Sequence, residues 1–184
     1  MAVSRIIREL DAAVVLFGGA TEKDNAMVKT IFEFVEHQNS SLDGLHSAVT
    51  AANSDPGGNM DWPLRRSLTQ IKQCDVVVSP DTGAAWAAAF EPMPKVVMVS
   101  HASVENITKH WVNTVTLHAS QNRVACWPCH RLHNDTSTCV PSKDGNSSAC
   151  MADIPVDLIF NAVKSALDGG SCDDLVSRWS ENVI

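Results

Sequence analysis

Residues 75–100, "DVVVSPDTGAAWAAAFEPMPKVVMVS", contain the pattern that decides the fold. The two short apolar runs at its ends are typical of strands that are buried on both faces of a sheet. Between them lie a Pro-Asp-Thr-Gly turn and an alanine-rich run, and alanine is the best helix former. A strand, a turn, a helix and a second strand make up the repeating unit of a parallel sheet, so this segment predicts an α/β domain.

The rest of the chain continues this alternation of apolar strands and helices. Apolar runs predict further strands within residues 12–19, 45–51 and 114–118, and helical spacing predicts helices within residues 21–38, 64–74, 154–167 and 172–180. An Asp-Pro-Gly-Gly cluster marks residues 53–63 as a loop. Because no repeat or linker divides the chain, we expect one domain over residues 1–184, with a Rossmann-like parallel sheet covered by helices on both faces.

Composition limits the classes of partner. The chain has 184 residues, 45% of them hydrophobic and 19% charged, which is typical of a globular domain. Its net charge of −7 and its lack of any Lys/Arg block argue against a nucleic-acid partner. The first apolar run stops at Gly18, too early for a signal peptide or a membrane span, so we expect a cytoplasmic protein without a transmembrane segment.

The turn after the strand at residues 75–79 is the candidate binding site. Ligands of open parallel sheets bind at the carboxyl ends of the strands, and this turn also precedes a helix whose first N–H groups lack internal partners. We expect Gly83 to admit a ligand close to the backbone, Thr82 to cap the helix or donate to a phosphate oxygen, and Asp81 to fix the turn by accepting backbone N–H groups. The alternative is an ordinary strand–helix connection, because such turns are frequent.

Two polar residues after the next strand have the same two interpretations. His101 and Ser103 follow the second apolar run at a carboxyl end, where either could reach a phosphate or a sugar hydroxyl. A serine helix cap is the alternative, and it is slightly favoured.

The loop at residues 126–150 is rich in cysteine. Its four cysteines have the spacing C-x₂-C-x₉-C-x₁₀-C, with His130 and His133 between them, which allows a zinc site, two disulfides or unpaired thiols. Irregular long spacings weaken the zinc interpretation, so thiols or disulfides are favoured and no metal site is assigned. The fifth cysteine, Cys74, closes a predicted helix and is expected in the core.

Three segments, which follow one another along the chain as they do in the family, resemble the nucleotide-sugar half of the bacterial heptosyltransferases, glycosyltransferase family 9. They are "CDVVVSPDTGAAWAAAFEPMPKVVMVS", the later "CWPCHRLHNDTSTC…ACMADIPVDLIFNAV" and the earlier "VVLFGGATEKDNA". The resemblance extends from about Ala12 to about Val163. The combination in this order is fairly specific, whereas Asp-Thr-Gly alone would not be.

This resemblance implies the C-terminal domain of a GT-B glycosyltransferase. Such a domain binds a nucleoside-diphosphate sugar, typically ADP-heptose, for transfer to a lipopolysaccharide-like or other glycan acceptor, with no separate cofactor. The family's acceptor domain and catalytic groups have no counterpart here, so we expect donor binding and assign no catalytic residue. The alternatives are a non-catalytic nucleotide-binding or interaction module and a small zinc-stabilised structural domain.

The resemblance also assigns roles to individual positions. By this resemblance the Asp-Thr-Gly segment holds the diphosphate and Trp62 lies near the position that packs on the base. The glycine turn of Gly18 and Gly19 lies beside the nucleotide. Trp86 stands where the family usually has a donor-contacting His, and His101 is added from its place at the sheet edge. The expected donor-binding residues are Asp81, Thr82, Gly83, Trp86, Gly18, Gly19, Trp62 and His101.

Overall fold

The computed structural model describes residues 2–18, 21–39, 49–51, 64–130, 139–145, 147–169 and 181–183. The chain divides into two compact units, Met1–Gln70 and Ile71–Ile184. Helices and parallel strands occur in both units, which confirms the predicted α/β class.

The first unit contains a two-stranded parallel sheet and its helices. Its elements are α1 (Ala2–Leu10), β1 (Val14–Leu16), α2 (Glu22–Asn39), β2 (Val49–Ala51) and α3 (Leu64–Ile71), the last of which runs into the second unit by one residue. The start of α2 is fixed by Thr21, whose hydroxyl oxygen accepts the Asp24 N–H at 3.1 Å. Ile7 of α1 and Val35 of α2 are the buried centre of its core.

The second unit contains a three-stranded parallel sheet in the order β3-β4-β5. Successive strands are neighbours, and one short helix connects each pair. The elements are β3 (Val77–Pro80), α4 (Gly83–Ala88), β4 (Lys95–Met98), α5 (Val104–Ile107), β5 (Thr114–Leu117), α6 (Ala149–Ala152) and α7 (Val156–Leu167).

The core of the second unit forms around β4. Val97 and Val99 point to one face of this strand, where they pack against Ala85 and Ala89 from the α4 segment and Val104 of α5. The small alanine side chains allow α4 to lie close to the sheet. The long helix α7 also contacts β4, and its buried side chains are Leu158, Phe160, Ala162 and Val163.

Several boundaries differ from the sequence predictions. The strand expected within residues 12–19 is only three residues long, because only Val14–Leu16 pair with β2. The helix expected to reach residue 74 ends at Ile71, and Pro155 lies just before α7 with extended backbone rather than in its first turn. Helix α6 was not predicted. The loop at residues 53–63 and the helix at 172–180 lie outside the described residues.

Residues 181–183 return to the end of β5. Val183 forms an antiparallel bridge with Leu117, and the His118 N–H donates to the Asn182 carbonyl at 2.9 Å. The Asn182 side-chain amide donates back to the His118 carbonyl at 2.7 Å. These contacts join positions that are more than sixty residues apart in the sequence.

Candidate functional site

The carboxyl ends of β3, β4 and β5 lie at one edge of the second unit's sheet, because the three strands are parallel and in register. The turn after β3 is attached to the end of β4, since the Asp81 N–H donates to the Met98 carbonyl at 3.1 Å. Of the eight expected donor-binding residues, five belong to this edge and its first helix. They are Asp81, Thr82, Gly83, Trp86 and His101.

The Thr82 hydroxyl is engaged inside the turn. Thr82 is the N-cap residue of α4, with extended backbone, but its side chain makes no capping hydrogen bond. Its Oγ1 lies 2.9 Å from the Ser79 Oγ, and the Ser79 hydroxyl donates to the Pro80 carbonyl at 2.8 Å. Since the Ser79 proton is used on Pro80, Thr82 acts as the donor to Ser79 and keeps lone pairs that can accept. Thr82 thus occupies the predicted N-cap position, but its side chain does not make the expected capping hydrogen bond.

The Asp81 carboxylate is bound by a side chain rather than by backbone N–H groups, which corrects its expected role. The Trp86 indole Nε1–H donates to Asp81 Oδ1 at 2.9 Å. The same indole meets the Trp111 ring edge-on, with centroids 5.0 Å apart and an interplanar angle of 71°. Trp86 is 49% exposed, so this contact lies at the surface of the edge. The Asp81 carboxylate is thus bound by the Trp86 indole.

Gly83 faces open space. A Cβ built on this residue would meet no atom within 4 Å, and its φ is not in the left-handed region. The local fold therefore does not require glycine here. What the glycine provides is room beside the backbone, and its role in donor binding stays a prediction.

Two histidines meet beyond the end of β4. The backbone N–H of His130 donates to the backbone carbonyl of His101 at 2.7 Å. The His101 ring Nδ1 lies 3.0 Å from the Ser100 hydroxyl. The Asn106 side-chain amide lies 3.4 Å from the His130 Nδ1. The sequence pattern singled out His130 only as a possible zinc ligand, and no local signal indicated that it reaches His101.

A buried ring pair lies at the end of β5. The rings of His118 and Trp127 stack with centroids 4.5 Å apart and an interplanar angle of 5°. The His118 Nδ1 contacts the Ala119 carbonyl at 3.0 Å, so this nitrogen carries the donated proton. Both the His118 Nε2 and the Trp127 Nε1 are buried, and neither has a hydrogen-bond partner among the described residues. Such groups are rare in folded proteins because each costs desolvation energy.

Two cationic side chains near the sheet, Arg123 and Lys95, already bind other groups. Arg123 binds Asp153 at 2.7 Å and Glu181 at 3.0 Å, and the Asp153 hydrogen bonds raise the pKa of its guanidinium. Lys95 is buried at the amino end of β4, where its Nζ donates to the carbonyls of Glu91 and Met93. Burial lowers the pKa of Lys95, and Glu91 opposes this shift.

The cysteines of the described residues are thiols. Cys126 and Cys139 are exposed, Cys129 and Cys150 are half-buried, and none forms a disulfide. No group of three or more His, Cys, Asp or Glu in the described ranges could hold a metal ion. Cys74 is half-buried rather than in the core, and burial followed by the charge of Asp75 raises the pKa of its thiol.

The remaining expected donor residues belong to the first unit. Gly18 follows β1 there, as the glycine-turn prediction placed it. Gly19 and Trp62 lie outside the described residues, so their expected roles remain predictions.

Comparison of the chain with protein-family models, with curated proteins and with solved structures found no match. In the ranges that the structure describes, no helix has the length and apolar character needed to cross a membrane.

Proposed function

We propose that this chain is the donor-binding domain of a glycosyltransferase similar to the heptosyltransferases, with the Rossmann-like architecture of one GT-B half. Its ligand is a nucleoside-diphosphate sugar of the ADP-heptose type, which would be transferred to a lipopolysaccharide-like or other glycan acceptor. The diphosphate lies at the carboxyl edge of β3 and β4, and the sugar nucleotide is a substrate rather than a cofactor.

The observation that carries this proposal is the position of Asp81, Thr82 and Gly83. These residues directly follow a parallel strand, the Asp81 N–H donates to the Met98 carbonyl at the end of β4, and Gly83 borders open space. The carboxyl edge of a parallel sheet is where α/β domains bind nucleotides. The three ordered sequence segments that resemble family 9 supply the type of ligand.

One contact favours a second candidate, a module that binds nucleotides or partners without transferring a sugar. The Trp86 indole holds the Asp81 carboxylate at 2.9 Å, where the resembled family has a histidine that contacts the donor. An indole N–H is only a donor and carries no titratable proton, so it cannot act as an acid or a base. This contact is compatible with donor binding, but the position of the resembled family's histidine then carries no ionisable group.

Ligand-observed NMR of the full chain with ADP, UDP, GDP and their sugar conjugates tests the proposal. We expect one nucleotide-sugar class to bind, and Gly83→Val to weaken its binding about tenfold or more because the side chain fills the space beside the backbone. A Cβ at Gly83 meets no neighbour within 4 Å, so the variant is expected to fold. Ala87→Val adds the same branched bulk at an exposed position of α4 and is expected to bind normally.

The two candidates give different results in this experiment. Preference for a sugar conjugate over its bare nucleotide supports the glycosyltransferase donor domain. Equal binding of both, weakened by Gly83→Val, supports the non-catalytic module. Failure of every nucleotide to bind would contradict both and leave the turn as an ordinary strand–helix connection.

A further inference from the structure

We propose that His130, together with His101, binds the diphosphate of the ligand at this edge. The Cys-rich loop after β5 therefore contributes a residue to a site that the sequence pattern assigned to other segments. This inference rests on the proposed function, because the diphosphate belongs to the sugar-nucleotide donor.

Hydrogen bonds connect the histidine pair to the predicted diphosphate turn. The Asp81 N–H is bonded to the Met98 carbonyl, and His101 follows Met98 by three residues. The His101 carbonyl in turn accepts the His130 N–H at 2.7 Å. The turn after β3, the end of β4 and the loop after β5 thus meet through backbone contacts.

The backbone of His130 is held in an unusual conformation. Its φ of 52° lies in the left-handed region, which is unfavourable for a residue with a Cβ. Two contacts hold it there, its own N–H on His101 and its ring nitrogen against the Asn106 amide. Strained residues of this kind concentrate at ligand sites, where the surrounding structure fixes them in place.

The ring contacts of His130 leave its Nε2–H as a hydrogen-bond donor. The Asn106 Nδ2 is a donor, so the His130 Nδ1 facing it at 3.4 Å is the acceptor and the proton is on Nε2. His130 is exposed, and no described residue bonds to this Nε2. An exposed N–H donor suits a phosphate oxygen.

Other cations of this unit are poorly placed for this role. Arg123 is already bound by Asp153 and Glu181, and Lys95 is buried at the opposite end of β4. The Thr82 hydroxyl is turned toward Ser79.

NMR of the histidine ring signals in the full chain tests the inference, with inorganic pyrophosphate and then the sugar nucleotides as probes. We expect pyrophosphate to shift the signals of His101 and His130 saturably, and His130→Asn to weaken its binding about tenfold or more by removing one hydrogen bond to a charged group. Asparagine tolerates the left-handed backbone, and His130→Gly, which has no Cβ, is the second variant. His110→Ala is the matched control, because His110 is exposed and precedes β5 at the amino edge of the sheet.

Each outcome separates this inference from the proposed function. Pyrophosphate shifts at both histidines without any sugar-nucleotide binding would support the histidine site and contradict the glycosyltransferase proposal. Sugar-nucleotide binding that Gly83→Val weakens but both His130 variants leave unchanged would overturn the histidine site alone. Equal weakening by His110→Ala would also overturn it, because the effect would then reflect general charge.

Discussion

The buried nitrogens of His118 and Trp127 are the most unusual feature at the residue scale. Trp127 is half-buried and packs against the core cluster that contains Val99 and Trp111. A buried polar atom that bonds neither protein nor water loses its hydration without compensation. The stacking of the rings therefore stabilises the loop after β5 while their nitrogens oppose it.

Replacing the indole tests this balance. We expect Trp127→Phe to raise the free energy of unfolding by about 1 kcal/mol, because phenylalanine keeps a ring on His118 and removes an unpartnered N–H. Urea denaturation monitored by circular dichroism measures the change. Trp111→Phe is the control, since the Trp111 indole nitrogen is not among the buried unpartnered atoms, and we expect it to cost about 1 kcal/mol in lost contacts. Equal losses in both variants would contradict the prediction.

The position of the candidate site was predictable, but the contacts of its residues were not. Pro-Asp-Thr-Gly after an apolar run places Asp81 at a sheet edge by turn chemistry alone. Which group Asp81 binds depends on how α4 turns the Trp86 side chain back over the turn, and spacing does not specify a rotamer. The approach of His130 to His101 depends on the path of a loop, which has no periodic pattern to read.

At the element scale, continuous apolar strands were the most reliable signal. The runs that became β3, β4 and β5 were predicted within two residues of their ends, because strands buried in a parallel sheet need apolar residues throughout. Helix α6 has four residues, too few for a helical period to be recognised. Its contribution is tertiary, since its C-cap residue Asp153 accepts the Ser120 N–H at 2.8 Å after β5.

Asp153 makes the attachment of α6 dependent on pH. Burial tends to raise the pKa of its carboxyl, but hydrogen bonds from Arg123 and Ser120 outweigh burial and hold the pKa below its ordinary 3.8. The folded state therefore binds fewer protons than the unfolded state near pH 3–4 on the ordinary scale for aspartate. The stabilisation is complete above that range and is lost as the pH falls through the folded-state pKa.

We expect Asp153→Asn to lower the free energy of unfolding by about 2 kcal/mol at pH 7, the scale of hydrogen bonds to a charged group. The difference from the wild type should shrink as the pH falls below about 4. Urea denaturation across a pH series provides the measurement. Asp168→Asn, at the exposed end of α7, is the control, and its free energy of unfolding should change with pH as that of the wild type does. A constant difference at all pH values would show that the Asp153 charge is unimportant.

At the scale of the whole molecule, residues 181–183 supply a link that no sequence pattern revealed. Asn182 is almost fully buried, and its amide joins the His118 carbonyl at 2.7 Å and the Arg123 guanidinium at 2.7 Å. Long-range pairs of this kind depend on the completed fold, whereas periodicity reports only neighbours along one element. Single-domain organisation of the chain stays a prediction.

Removing the Asn182 amide should weaken this link. We expect Asn182→Ala to lower the free energy of unfolding by about 2 kcal/mol, because the His118 carbonyl and part of Arg123 lose buried partners. Chemical denaturation is again the measurement. Asn122→Ala, at an exposed position of the same network, should change stability by less than about 0.5 kcal/mol. Equal effects would mean that burial does not determine the contribution of these amides.

The bridge between Leu117 and Val183 also affects how copies of the protein meet in solution. In the described sheet β5 is an outer strand, and outer strands offer unpaired N–H and C=O groups to strands of other molecules. Val183 and Asn182 pair with the backbone at the carboxyl end of β5, where Val183 bridges Leu117 and the Asn182 carbonyl accepts the His118 N–H. The protein thereby protects part of this strand against intermolecular β-pairing and the aggregation that follows from it.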